Sequence, residues 1–214
     1  MNTIRVNNVL PCFISDTEAS VSEIWRHEAV FRKGEYHLVS AVSGAGKSSL
    51  LSYIFGERRD YAGDIFYDDG KIDSLHPGEW SEVRQNQISF VFQGLRLFSE
   101  LTAFENIDIK NRLSRHKTDD EIMCLLDRAG LAAKRNERAA RLSYGQQQRV
   151  AVIRALCQPF DFLLMDEPFS HLDDANIEIM SNIITDELRN KRAGLILCSL
   201  GAEYPFEYNR RWKL

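Results

Sequence analysis

Polar and apolar positions along the chain fall into two rhythms. Runs dominated by apolar residues at 35–42, 88–92, 162–166 and 194–199 have the length of buried strands. Between them, apolar residues recur at helical spacing. A capping box, Thr118-x-x-Glu121, opens a stripe of Ile122, Leu125, Leu126 and Ala129 that stops at Gly130. Val150, Ile153 and Leu156 mark a helix over 145–158, and Ile177, Met180, Ile184 and Leu188 mark another over 175–189. Residues 47–55 read as one more helix. This alternation predicts an α/β fold. The middle of the chain is polar and helical while its flanks are strand-rich. The pattern therefore predicts one domain, with a core formed by 1–93 and 151–214 and a small helical subdomain inserted at 94–150. There is no internal repeat or linker tract, and five prolines leave little room for a flexible hinge.

Composition changes the picture by exclusion. A chain of 214 residues can bury a core without disulfides or metals. No apolar run approaches the roughly 20 residues of a membrane helix, and Met1–Arg5 lacks the apolar core of a secretion signal. Lys plus Arg is 27 and Asp plus Glu is 31, a formal net charge of −4, which argues against a non-specific nucleic-acid binder. The basic clusters at 110–117 and 134–141 read as solvated helix faces. Cys12, Cys124, Cys157 and Cys198 form no metal-binding spacing, as expected of a reduced, cytoplasmic chain.

The first segment with chemistry is Ala41-Val42-Ser43-Gly44-Ala45-Gly46-Lys47-Ser48. It fits the phosphate-binding pattern G-x-x-x-x-G-K-[ST] with Ala41 in place of the first glycine. Glycines let successive N–H groups curl around phosphate oxygens, and the following helix aims its positive end at them. Lys47 is then expected on the terminal phosphates and Ser48 on Mg²⁺. A bare glycine turn would instead leave Lys47 solvated. The second segment is Phe162-Leu163-Leu164-Met165-Asp166-Glu167, four apolar residues followed by two carboxylates. Such a strand end is expected to face a cleft, with Asp166 toward Mg²⁺ and Glu167 orienting an attacking water. A simple acidic turn before Pro168 is the plainer alternative.

With these segments in place, Leu142-Ser143-Tyr144-Gly145-Gln146-Gln147-Gln148-Arg149 resembles the signature LSGGQ of ABC transporter ATP-binding subunits, and the resemblance covers nearly the whole chain. It implies a P-loop core of the ABC ATPase type with an N-terminal antiparallel β portion and an inserted α-helical subdomain. ATP and Mg²⁺ are the implied ligands. The resemblance places Ser43, Gly44, Ala45, Gly46, Lys47, Ser48 and Ser49 on the nucleotide. Ser143, Gly145 and Gln146 fall on the γ-phosphate held by an opposite subunit. Val91-Phe92-Gln93 resembles the Q-loop, placing Gln93 near Mg²⁺ and the attacking water, and Ser170-His171-Leu172-Asp173 resembles the D-loop at the dimer interface. Phe13 is the candidate aromatic to stack on adenine.

Two positions depart from the family pattern. Tyr144 replaces the first signature glycine, and Leu200 stands where the switch histidine belongs. Leucine cannot hydrogen-bond a γ-phosphate, which puts the rate of hydrolysis in question. The implied function is ATP hydrolysis by a dimer that powers a separate membrane permease, with the chain peripheral on the inner face of the membrane. The stretch from Leu97 to Ile107 resembles lipoprotein-releasing, macrolide-exporter and cell-division types. The alternatives are a soluble, non-transport ABC ATPase and a binding-only regulatory subunit.

Overall fold

The computed structural model describes residues 1–42 and 44–214. In chain order, β1 (Thr3–Pro11), the short α1 (Asp16–Ala19), β2 (Glu28–Arg32) and β3 (Tyr36–Ser40) lead to α2 (Lys47–Ile54). Next come β4 (Tyr61–Tyr67), β5 (Gly70–Lys71), α3 (Pro77–Asn86) and β6 (Ile88–Val91). Three helices follow, α4 (Ala103–Asn111), α5 (Asp119–Arg128) and α6 (Tyr144–Leu156). The chain ends with β7 (Phe162–Asp166), α7 (Asp174–Lys191), β8 (Gly194–Ser199) and β9 (Arg210–Lys213).

The strands form two sheets. One is antiparallel, in the order β2-β1-β4-β5. The other is parallel, in the order β6-β7-β8-β3-β9. Every residue of β6, β7 and β8 is buried, as expected for parallel strands covered on both faces. Successive side chains enter opposite cores. Leu163, Met165, Leu195 and Leu197 join the cluster made with α5, α6 and α7. Phe162, Leu164, Ile196 and Cys198 join the cluster shared with α2, α3 and the antiparallel sheet. The parallel sheet is thus the partition between two apolar layers, and its carboxyl ends gather on one edge.

Several boundaries shift for local reasons. α6 begins at Tyr144, one residue before the expected start, because Ser143 is its cap: the Ser143 hydroxyl accepts from the Gln146 N–H while Gln146 accepts from the Ser143 N–H. α7 is longer than expected at both ends, starting behind the Asp173 cap and running to Lys191. β3 is shorter than 35–42, and the edge strand β9 carried no sequence signal. The solvated reading of the 110–117 cluster fails at two positions. Lys117 is half-buried and pairs with Glu187 of α7 at 2.8 Å, and Lys191 joins the same carboxylate. Lys110 is sheltered enough that desolvation lowers its pKa. Lys117 ties the segment after α4 to α7, while Lys110 turns to the Arg84 carbonyl of α3 at 3.5 Å.

Candidate functional site

β3 delivers the chain to the phosphate-loop segment, and α2 leaves it. Gly44 and Gly46 take φ of 88° and 95°, the left-handed region where a side chain would be strained. Ala41 is not among the positive-φ residues, which is why alanine is tolerated there. Ser43 lies outside the described residues. The Lys47 side chain is only 8% exposed. Its Nζ donates to the carbonyls of Ala41 at 3.2 Å and Val42 at 3.3 Å and stands 3.9 Å from Glu167 Oε1. Lys47 is therefore not a solvated turn residue: its charge is held within a cleft of about 440 Å³, with Gly44, Gly46, Ser48 and Ser49 on the same wall.

Trp25, which the sequence pattern did not single out, braces this loop. Its buried indole N–H donates to the Ala45 carbonyl at 3.1 Å, and a Cβ on Gly46 would come within 3.0 Å of its ring. Nothing local marks it, because the contact joins the segment before β2 to a loop twenty residues later.

The end of β7 supplies the acids. Asp166 is 4% exposed and Glu167 7%. Glu167 sits at φ 49° with its N–H on the Cys198 carbonyl at 3.1 Å, a conformation costing of order 1–3 kcal/mol in a residue with a side chain. Its carboxylate lines the cleft. Burial raises its pKa, with Lys47 pulling it down and Asp166 pushing it up. Burial also raises the Asp166 pKa against a hydrogen bond to the Ser48 side chain. Asp166 Oδ1 and Glu167 Oε1 are both buried without a hydrogen-bond partner. Two orphaned acceptors beside a buried lysine form an arrangement that a bound ligand or ion would satisfy. No group of three or more His, Cys, Asp or Glu placed to hold a metal ion occurs among the described residues. A cation held by Asp166 and Ser48 would therefore take its remaining oxygens from a ligand and water, as Mg²⁺ does on nucleotides.

Gln93, Phe13 and Leu200 also line the cleft. Phe13 is half exposed, at 50%, rather than a core residue, and Leu200 is 58% exposed directly after β8. The signature residues lie elsewhere. Ser143, Gly145 and Gln146 start α6 and do not line this cleft. They are laced to the segment after β7: a Cβ on Gly145 would stand 3.0 Å from the His171 carbonyl, and the Tyr144 and His171 rings meet edge to face at 4.3 Å. Gln148 donates to Ser170 Oγ at 3.1 Å and accepts from the His171 N–H at 3.2 Å. The Tyr144 hydroxyl reaches the Gln93 carbonyl at 3.4 Å, so the residue replacing a glycine links three segments.

Residues 28–170 match the family described as ABC transporter. The chain is 36% identical over 166 residues to an uncharacterised ABC transporter ATP-binding protein of Mycobacterium tuberculosis, covering 76% of this chain and 50% of that protein. It thus spans about half the length of this mycobacterial relative. It is 34% identical over 185 residues to the lipoprotein-releasing system ATP-binding protein LolD of Syntrophotalea carbinolica, covering 85% of this chain and 81% of that one. Among solved structures, a dimeric bacterial ABC transporter cassette superposes with TM-score 0.79 at 25% identity, covering 92% of this chain and 88% of the other. The same cassette in a dimeric post-hydrolysis state with ADP and Pi gives TM-score 0.77 at 25% identity, covering 92% and 87%.

Proposed function

From the premise that this chain belongs to the ABC transporter family, we propose that it binds ATP in the Lys47 cleft, hydrolyses it as a head-to-tail dimer, and drives a separate membrane permease from the cytoplasmic face. The observation that carries this is the meeting of the buried Lys47 cation and the Glu167 carboxylate on one cleft, with Asp166 buried next to Glu167 at the carboxyl end of a parallel sheet and one oxygen of each acid unpartnered. In this reading Lys47 leaves its loop carbonyls for the terminal phosphates. The N-terminal N–H groups of α2 face the same oxygens. Asp166 and Ser48, with Gln93, would hold Mg²⁺, which neutralises charge building on the transferred phosphoryl group. Glu167 orients the attacking water and accepts its proton, a task suited to a carboxylate whose burial raises its pKa. Phe13 offers its exposed face to adenine.

The dimer follows from what one chain lacks. Ser143, Gly145 and Gln146 sit at a helix N-terminus, a ready anion site, yet away from their own cleft. A two-fold pair brings each signature helix over the other chain's nucleotide. For the permease, no helix among the described residues is long and apolar enough to cross a membrane. Phe98, Ile109 and Leu113 are exposed around an apolar groove that adjoins the Gln93 segment. That placement would let a docked membrane protein sense the nucleotide. The test is affinity purification of the full chain from detergent-solubilised membranes. Recovery of a multi-span protein, with Mg-ATPase activity rising in that complex, is the expected result. Recovery of soluble proteins or nucleic acid alone would favour a non-transport ATPase.

Leu200 favours a second reading, a binding-only regulatory subunit, and makes a separate prediction. If the missing histidine limits turnover, Leu200→His raises kcat by roughly 10²-fold, the scale of one transition-state hydrogen bond, with ATP affinity little changed. Steady-state kinetics on the assembled complex measure this. An unchanged kcat with intact ATP binding would mean another group already serves in that place.

A further inference from the structure

Two cations line the cleft among the described residues, Lys47 and Arg58. The reaction scheme uses the first and leaves the second idle. Arg58 lies in the loop between α2 and β4. Its Nη1 donates to Ser49 Oγ at 2.9 Å, and its Cζ lies 5.5 Å from the centre of the Phe13 ring and 5.5 Å from that of Tyr53. Asp60 clamps the guanidinium from the other side: Nε donates to Oδ1 at 2.9 Å and Nη2 pairs with Oδ2. These bonds leave two of the five guanidinium N–H groups free. The Arg58–Asp60 pair is largely exposed and contributes little stability, so its structural consequence is to aim the fork.

The order of groups along the cleft assigns the target. Ser49 is in the first turn of α2, beside Lys47. Arg58 touches Ser49 at one end and Phe13 at the other. A nucleoside polyphosphate has the same linear order: terminal phosphates, proximal phosphate, sugar, base. With its terminal phosphates at Lys47 and its base on Phe13, the junction between phosphate chain and sugar falls at Arg58. Resting on the ATP-site reading above, we infer that Arg58 binds the α-phosphate of the nucleotide and sets affinity for ATP and ADP alike. A planar fork with donors to spare suits phosphate oxygens better than a lysine would. Because the α-phosphate is present before and after hydrolysis and takes no part in the chemistry, this contact is uniform binding. It lowers KM without changing kcat.

The experiment compares the full wild-type chain with Arg58→Ala and Arg58→Lys, using calorimetry with ATP and ADP and steady-state kinetics with Mg-ATP. The expected result for Arg58→Ala is a Kd raised about tenfold for ATP and by the same factor for ADP, with KM following and kcat within twofold. Arg58→Lys should recover part of the loss. The thermal midpoint without nucleotide should not move, since the side chain is exposed, which separates binding from folding. Unchanged affinities, a loss confined to ATP, or a fall in kcat at constant KM would each overturn the assignment. If the wild-type chain itself binds neither nucleotide, the ATP-site reading falls, and this inference with it. A wild type that binds both while Arg58→Ala matches it removes Arg58 alone.

Discussion

Glu167→Gln is expected to bind ATP as wild type does and to lower turnover by roughly 10²- to 10⁴-fold, the range set by loss of a general base. The amide keeps the shape of the side chain at the end of β7 and keeps an oxygen for the water, but it cannot take the proton. Single-turnover kinetics with Mg-ATP check the rate, and size-exclusion chromatography with ATP should show an accumulated dimer. Full-rate hydrolysis by this variant would remove Glu167 from the reaction. A stability measurement separates mechanism from damage. The folded-state pKa of Glu167 is raised, chiefly by burial, so the folded protein holds that proton more tightly than the unfolded chain. The ionised group therefore costs stability as pH rises from the unfolded pKa through the folded one. Its Oε1 has no hydrogen-bond partner to lose. Glu167→Gln without nucleotide should melt at or above the wild-type temperature at neutral pH, with the difference closing in acid.

Lys47→Ala should abolish useful nucleotide affinity, raising Kd by roughly 10²- to 10³-fold. The estimate follows from the 3–5 kcal/mol cost of removing one partner from a buried charge pair. In the free protein Nζ is parked on the Ala41 and Val42 carbonyls, and in the complex it would serve the terminal phosphates. Truncation leaves those phosphates, Asp166 and Glu167 crowded together with no mobile cation between them. The deficit should therefore be larger for ATP than for ADP, unlike the equal loss expected at Arg58. Calorimetry with both nucleotides makes the comparison. Wild-type affinity in Lys47→Ala would end the phosphate-loop reading.

What was legible in the sequence was carried by contiguous residues. Glycine spacing around Lys47, four apolar residues before Asp166-Glu167, and a serine cap three residues before Gln146 are each local statements about backbone freedom, strand burial and helix initiation. They hold wherever the rest of the chain goes. The helical stripes and buried strands were legible for the same reason. Tertiary structure decided everything that depends on distant segments meeting. It brought the Trp25 indole under Ala45, set Arg58 between Ser49 and Phe13, and drew Lys117 out of water onto Glu187. It turned Glu167 to a positive φ through a bond to the neighbouring β8, and left Phe13 half exposed where periodicity could equally have placed it in the core. The signature helix makes the same point: its capping box is local and readable, but only the fold reveals that Ser143, Gly145 and Gln146 do not line the Lys47 cleft. A motif specifies its own backbone through short-range sterics and hydrogen bonds, whereas the neighbours that tune its charge and position arrive only when the two sheets pack.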